Sequence, residues 1–214
     1  FDLPEAVDIA SDIARALHMA HHANVVHGFL RPDKVIVLGV SKEDPVKIMD
    51  LGFASLVPKI EPNTLGMVDA LKYLSPELRE GTIDARSDIF SLGVMLYEMI
   101  TGVPPSQPSS KKNGENGMSL RRFVPTVPRE LDHLVLEMIS RQPSDRPESM
   151  DEVVKKLDSL KDDLPRTTDH GEEPSYPRAS APPPVRGVPP KFAKGGGTII
   201  GQPSPAVKPP GKDK

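Results

Sequence analysis

One run constrains the fold more than any other: Ile89-Phe-Ser-Leu-Gly-Val-Met-Leu-Tyr-Glu-Met-Ile100. At helical spacing it is apolar on nearly every side, so a helix built from it is stable only when enclosed by other elements. Asp88 can cap its start, and Thr101-Gly102, with Pro104 beyond, ends it. Asp2-Leu-Pro-Glu5 has capping-box form, and Ile9, Ile13 and Leu17 with Ala10 and Ala14 repeat at helical spacing to about residue 22, where Asn24 stops the pattern. Two later segments, Arg129–Ser140 and Pro147–Asp162, also carry helical patterns. These flanking helices predict a mainly α unit with Ile89–Ile100 at its centre.

Short β-branched runs occur at Val25-Val26, Val35–Leu38 and Val46–Met49. The last two are joined by a turn-like stretch, Gly39–Pro45, and predict a small hairpin. Residues 53–75 show no sustained period and read as a long loop, a kind that is usually functional in a compact domain. Residues 103–128 are turn-rich, with SQPSSKKNGENG an exposed loop.

The 214 residues divide unevenly. Residues 165–214 hold 12 of the 25 prolines, eight Lys/Arg and four Asp/Glu, a net of +4; that leaves 19 of 27 basic and 26 of 30 acidic residues in 1–164, a net of -7. The last stretch has too few large apolar groups to offset the entropy of ordering it. The expected division is a folded unit at 1–163 and a disordered proline-rich tail at 164–214, read as a linker or, in PPPVRGVPP, as a ligand for a Pro-reading domain. An overall charge of -3 excludes a polycationic nucleic-acid binder, and no apolar run reaches the roughly 18 residues of a membrane span. The absence of Cys excludes a disulfide framework and suits a reducing, cytoplasmic setting, with a membrane tether outside the chain left open. The first residue is Phe1 and not Met, which reads as a cut or processed end.

The order of elements carries a set of motifs. His27-Gly-Phe-Leu-Arg-Pro-Asp-Lys34 stands where a catalytic loop would be, Asp50-Leu51-Gly52 resembles a metal-binding Asp-Phe-Gly, and Ser75-Pro76-Glu77 resembles Ala-Pro-Glu. Ser87-Asp88-Ile89-Phe90-Ser91-Leu92-Gly93 and Ser144-Asp145-Arg146-Pro147 fit a central-helix start and a late Arg. Five motifs in order over residues 1–162 resemble the C-terminal lobe of eukaryotic-like serine/threonine protein kinases of the bacterial sort. The resemblance implies a kinase-like C-lobe without its N-lobe: the Gly-rich loop, the phosphate-binding Lys and its Glu partner have no counterpart in the chain.

By that resemblance ATP and Mg²⁺ are the implied cofactors, yet the implied chemistry is disrupted. Phe29 stands at the catalytic Asp, Arg31 at the Lys that offsets phosphate charge, and Lys34 at the metal-binding Asn. A phenyl ring neither orients a hydroxyl nor receives its proton. Gly28 replaces an Arg that pairs with a phosphorylated loop in many relatives, and Asp69-Ala70 replaces a Gly-Thr. Asp33 is a nearby carboxylate that could be drafted as a base. Asp50 reads either as a metal ligand or as a carboxylate paired with Lys34 in the metal's place. Ile36 resembles the floor beneath an adenine ring, though a β-branched residue in a strand is also ordinary core. His27, Leu51, Gly52, Glu77, Asp88 and Arg146 resemble the family's scaffold: His27 and Leu51 stacked in an apolar spine, Glu77 paired with Arg146, Asp88 accepting from the catalytic-loop backbone. Thr64 is a candidate phosphosite.

The expected function is a pseudokinase that acts as a signalling scaffold or regulator on protein partners, other kinases among them. The alternatives are a weakly active serine/threonine kinase with its N-lobe outside the chain, and a degenerate remnant.

Overall fold

The computed structural model describes residues 1–38, 45–52, 70–105, 118–161 and 164, all within one compact unit, Phe1–Thr168. Helix α1 spans Leu3–His22, strands β1 and β2 span Val35–Val37 and Val46–Ile48, and α2 is a single turn, Pro76–Arg79. Helices α3 (Ala85–Thr101), α4 (Arg129–Met138) and α5 (Met150–Leu160) complete the order. Short 3₁₀ turns precede β1 at Pro32–Lys34, precede α2 at Ala70–Tyr73, and flank α4 at Leu120–Arg122 and Pro143–Asp145.

Helix α3 is the centre of the unit. Its residues from Ser87 to Tyr97 are buried without interruption, and it packs against α1, α4 and α5. The main core joins Ile9, Ile13 and Leu17 of α1 to Leu92 and Leu96 of α3, Leu131 and Val135 of α4, and Val153 and Leu157 of α5. Leu164, one residue past the expected end of the folded part, is also buried in this core. At Gly93, a methyl group would lie 2.7 Å from Met138 Cβ and 2.9 Å from Ile139 Cγ2, so the missing side chain is what lets α4 approach α3.

The ends of the helices show why they start where they do. The Asp2 carboxylate accepts from Glu5 N at 2.8 Å and caps α1. Helix α3 ends on Gly102 in the left-handed region (φ 75°), whose N–H donates to Glu98 O. Its start differs from the expectation. Asp84 is the cap, accepting from Arg86 N, and Asp88 lies one turn inside with its carboxylate turned to another segment. Helix α5 likewise starts at Met150 instead of Pro147. Ser149 caps it, accepting from Glu152 N at 3.3 Å, because Arg146, in extended backbone after a 3₁₀ turn, is held by a pairing described below. Helix α4 ends two residues before the expected Ser140.

Strands β1 and β2 form an antiparallel pair in the register Val35↔Ile48, Ile36↔Lys47, Val37↔Val46. The Val25-Val26 run forms no strand; its backbone is irregular, with Val25 N donating to Ala20 O. The Gly39–Asp44 turn, most of the 53–75 loop, the SQPSSKKNGENG loop and the proline-rich tail lie outside the described residues. Among the described residues, no helix is long and apolar enough to cross a membrane.

Candidate functional site

The hairpin sets the site. Because Val35 pairs with Ile48, the residue before β1 and the residues after β2 meet at one end of the ladder. Met49 N donates to Lys34 O at 2.8 Å and continues the pairing one step. Asp50 then turns back through the left-handed region (φ 59°), a backbone position Asp tolerates better than most residues. The result brings Lys34 Nζ to 2.5 Å from Asp50 Oδ2. The hydrogen bond and charge of Lys34 hold the Asp50 carboxyl below the usual carboxylate range, against a smaller upward push from burial.

The segment before β1 is pinned from the other side. The Asp88 carboxylate accepts from His27 N at 2.9 Å and from Gly28 N at 2.7 Å, and His21 Nε2 lies 2.8 Å from its Oδ2. Those bonds take the side chain out of reach of a helix cap. Gly28 itself sits at φ 69°, where glycine pays no steric penalty. Phe29 N points at His27 Nδ1 at 3.3 Å, which places the ring proton of His27 on its buried Nε2.

Phe29 is 7% exposed and belongs to a small apolar cluster of its own with Leu74, Leu78 and the half-buried Leu71. The Arg31 guanidinium lies 4.9 Å from the centre of its ring. Arg31 Nε is also 2.8 Å from Asp33 Oδ1, a charge contact without the alignment of a hydrogen bond. The two cations of the loop, Arg31 and Lys34, therefore each face a carboxylate of the same chain.

The remaining sequence-predicted residues spread over the lobe. Arg146 and Glu77 form a two-point pair, Nη1 to Oε1 at 2.7 Å and Nη2 to Oε2 at 2.8 Å. Ser87 Oγ donates to the same Glu77 Oε1, while Arg146 also donates to Ser140 O and Arg86 O, and its guanidinium lies over the Phe90 ring. Burial raises the Glu77 pKa, but the hydrogen bonds and charge of Arg146, with the Ser87 hydroxyl, outweigh it and bring the value down to about 2. His27 is fully buried while Leu51 is 44% exposed, so the two do not share one enclosed stack. Ile36 is also 44% exposed, on the open face of β1. Gly52 turns the chain at φ 76° against Val25. Thr64 and Asp69 lie outside the described residues.

One cluster was not anticipated from the sequence. Tyr73 OH donates to Glu98 Oε2, Lys72 Nζ lies 3.5 Å from Glu98 Oε1, and the Lys72 ammonium is 5.2 Å from the Tyr73 ring centre. The signal was present: Glu98 is the one charged residue in the Ile89–Ile100 run, and a carboxylate there needs a partner. Arg31's pairing with Asp33 and the cluster around Phe29 were likewise not anticipated.

A model of the protein kinase domain matches residues 1–157. The chain is 34% identical over 155 residues to a calcium and calcium/calmodulin-dependent serine/threonine-protein kinase of Medicago truncatula, covering 69% of this chain and 29% of that protein. It is 35% identical over 154 residues to serine/threonine-protein kinase A of Synechocystis sp., covering 65% and 29%. Against the serine/threonine-protein kinase PknB of Mycolicibacterium smegmatis the identity is 33% over 151 residues, covering 66% and 24%. The chain thus spans 24–29% of the length of these relatives.

Proposed function

The chain belongs to the protein kinase family, and on that membership we propose that it acts by binding and not by phosphoryl transfer: a pseudokinase lobe serving protein partners, other kinases among them, as a scaffold or regulator. The observation that carries the reading is Phe29. Where the family places the carboxylate that orients the acceptor hydroxyl and receives its proton, this chain has a phenyl ring packed with Leu71, Leu74 and Leu78. General-base help of that kind contributes roughly a hundred- to ten-thousand-fold. The nearby carboxylate of Asp33 faces Arg31, which leaves it poorly placed as a substitute base.

What remains intact supports a folded, binding-competent lobe. Asp88 holds the His27-Gly28 backbone of the segment that carries Phe29, Arg31 and Lys34, and Glu77–Arg146 ties α2 to the segment before α5. A surface for partners needs that scaffold and does not need Phe29 to be an acid or base.

The test is incorporation of radiolabelled phosphate from ATP into protein substrates by the purified full-length protein, beside an Asp50→Ala control. Transfer is expected to fall several decades below the roughly 1–100 per second of ordinary protein kinases. Robust incorporation abolished by Asp50→Ala would establish the alternative, an active serine/threonine kinase using unusual residues. Incorporation indifferent to Asp50→Ala is contamination.

A further inference from the structure

The family's chemistry calls for a divalent cation against Asp50, and the residues present do not fit one. A magnesium ion needs near-octahedral oxygen ligands at about 2.0–2.1 Å, usually from one or two carboxylates with water and phosphate. Here Asp50 Oδ2 already receives the Lys34 ammonium at 2.5 Å. Among the described residues no group of three or more His, Asp or Glu side chains could hold a metal ion. We infer that the Lys34 ammonium stands in the metal's place, and that this site excludes divalent cations.

Three features fix that arrangement. The Lys34 backbone is tied to the strand that leads into Asp50, so the two residues are held side by side: Lys34 O accepts from Met49 N, and the ladder continues through Val35↔Ile48. The Lys34 side chain is only 21% exposed, so the ammonium is restricted in where else it can go. A metal ion within bonding distance of Asp50 would also lie within a few ångströms of Nζ and be repelled by it. The next cation along the loop offers no spare charge for a metal-free polyphosphate, because Arg31 faces Asp33. The site is self-neutralised: each cation has a carboxylate of the same chain.

This inference rests on reading the lobe as a kinase-family lobe that transfers no phosphate, and its test needs neither nucleotide nor transfer. The full chain, labelled with ¹⁵N, is titrated with Mn²⁺, whose unpaired electrons broaden the amide signals of nearby residues. In the native chain, the amides of Lys34, Val35, Met49, Asp50 and Leu51 should broaden no faster than those beside exposed surface carboxylates. Lys34→Asn supplies an oxygen and removes the charge, and should bring selective broadening of that group at a Mn²⁺ concentration at least about tenfold lower. Lys34→Gln, a second variant that keeps most of the side-chain length, should move in the same direction. Selective broadening in the native chain equal to that in Lys34→Asn would overturn the inference. So would two folded variants that gain none. Mn²⁺ uptake by a native protein that transfers no phosphate defeats this inference alone, whereas phosphate transfer without Mn²⁺ uptake at Asp50 defeats the proposed function alone.

Discussion

Arg146 and Glu77, 69 residues apart in the chain, meet in two parallel N–H···O bonds of 2.7 and 2.8 Å, with the arginine side chain wholly removed from solvent. The geometry satisfies both ends of a buried charge. Removing one end leaves the other uncompensated, which is the costly case.

Glu77→Gln keeps the shape and removes the charge opposite Arg146. Stability should fall by about 3–5 kcal/mol, read from the urea midpoint at constant slope. A loss under about 1 kcal/mol would show that Ser140 O and Arg86 O suffice to hold the guanidinium.

The same pair sets an acid limit. The Glu77 carboxyl ionises at about 2 in the folded chain against an ordinary 4.5, so the folded state favours the ionised form. Its contribution is complete above pH 4.5 and is lost as pH falls from there toward about 2. The melting temperature should decline through that window. In Glu77→Gln this part of the decline should be absent, and an unchanged pH profile would refute the assignment.

Gly93→Ala should destabilise, although alanine is the better helix former by about 1 kcal/mol. The added methyl would meet Met138 Cβ at 2.7 Å and Ile139 Cγ2 at 2.9 Å, both close to the α4 backbone and unable to swing aside. Overpacking of this kind costs about 1–3 kcal/mol, so the clash wins. A variant as stable as the native chain would mean that α4 can shift away from α3.

Phe29→Ala empties the centre of the Leu71–Leu74–Leu78 cluster and should cost about 3 kcal/mol, the lower end for a buried phenylalanine, because the cluster is small. Proteolysis within residues 70–78 should quicken with it. Phe29→Asp should be less stable still, since it puts a carboxylate among leucines. It should also restore no phosphate transfer while Lys34 remains. Restored transfer would place the whole defect at position 29.

Much of this was legible in the residues. Asp2 with Glu5, the Val35 and Val46 runs, and the all-round apolarity of Ile89–Ile100 each act within a few residues of themselves, and the elements they predict are present. Asp88 shows where local reading stops. A helix-start Asp can cap or reach outward, and the choice here is made by His27 and Gly28, some 60 residues away. The start of α5 was legible after all, because Ser149-Met-Asp-Glu152 is a capping-box pattern. It was passed over for Pro147, a favourable first-turn residue that the Glu77–Arg146 pairing holds outside the helix. Motif order could place Phe29 and Lys34 and offer Asp50 as the partner of Lys34, but it gave no partners for Phe29, since those come from Leu71–Leu78.

Helix α1 finds its permanent neighbour last. Ser11 Oγ and Arg15 Nη2 both donate to Asp158 of α5, at 2.8 and 2.5 Å, and Lys161 returns to Asp8 at 3.0 Å. On a ribosome, Ile9, Ile13 and Leu17 therefore emerge well over a hundred residues before α5, the last of the helices that cover them. Until then only β2 and α3 cover α1, and the part of its apolar stripe that α5 buries stays bare, a natural target for chaperones. Synthesis halted before α5 should leave a chain that aggregates, however complete its catalytic-loop motifs are.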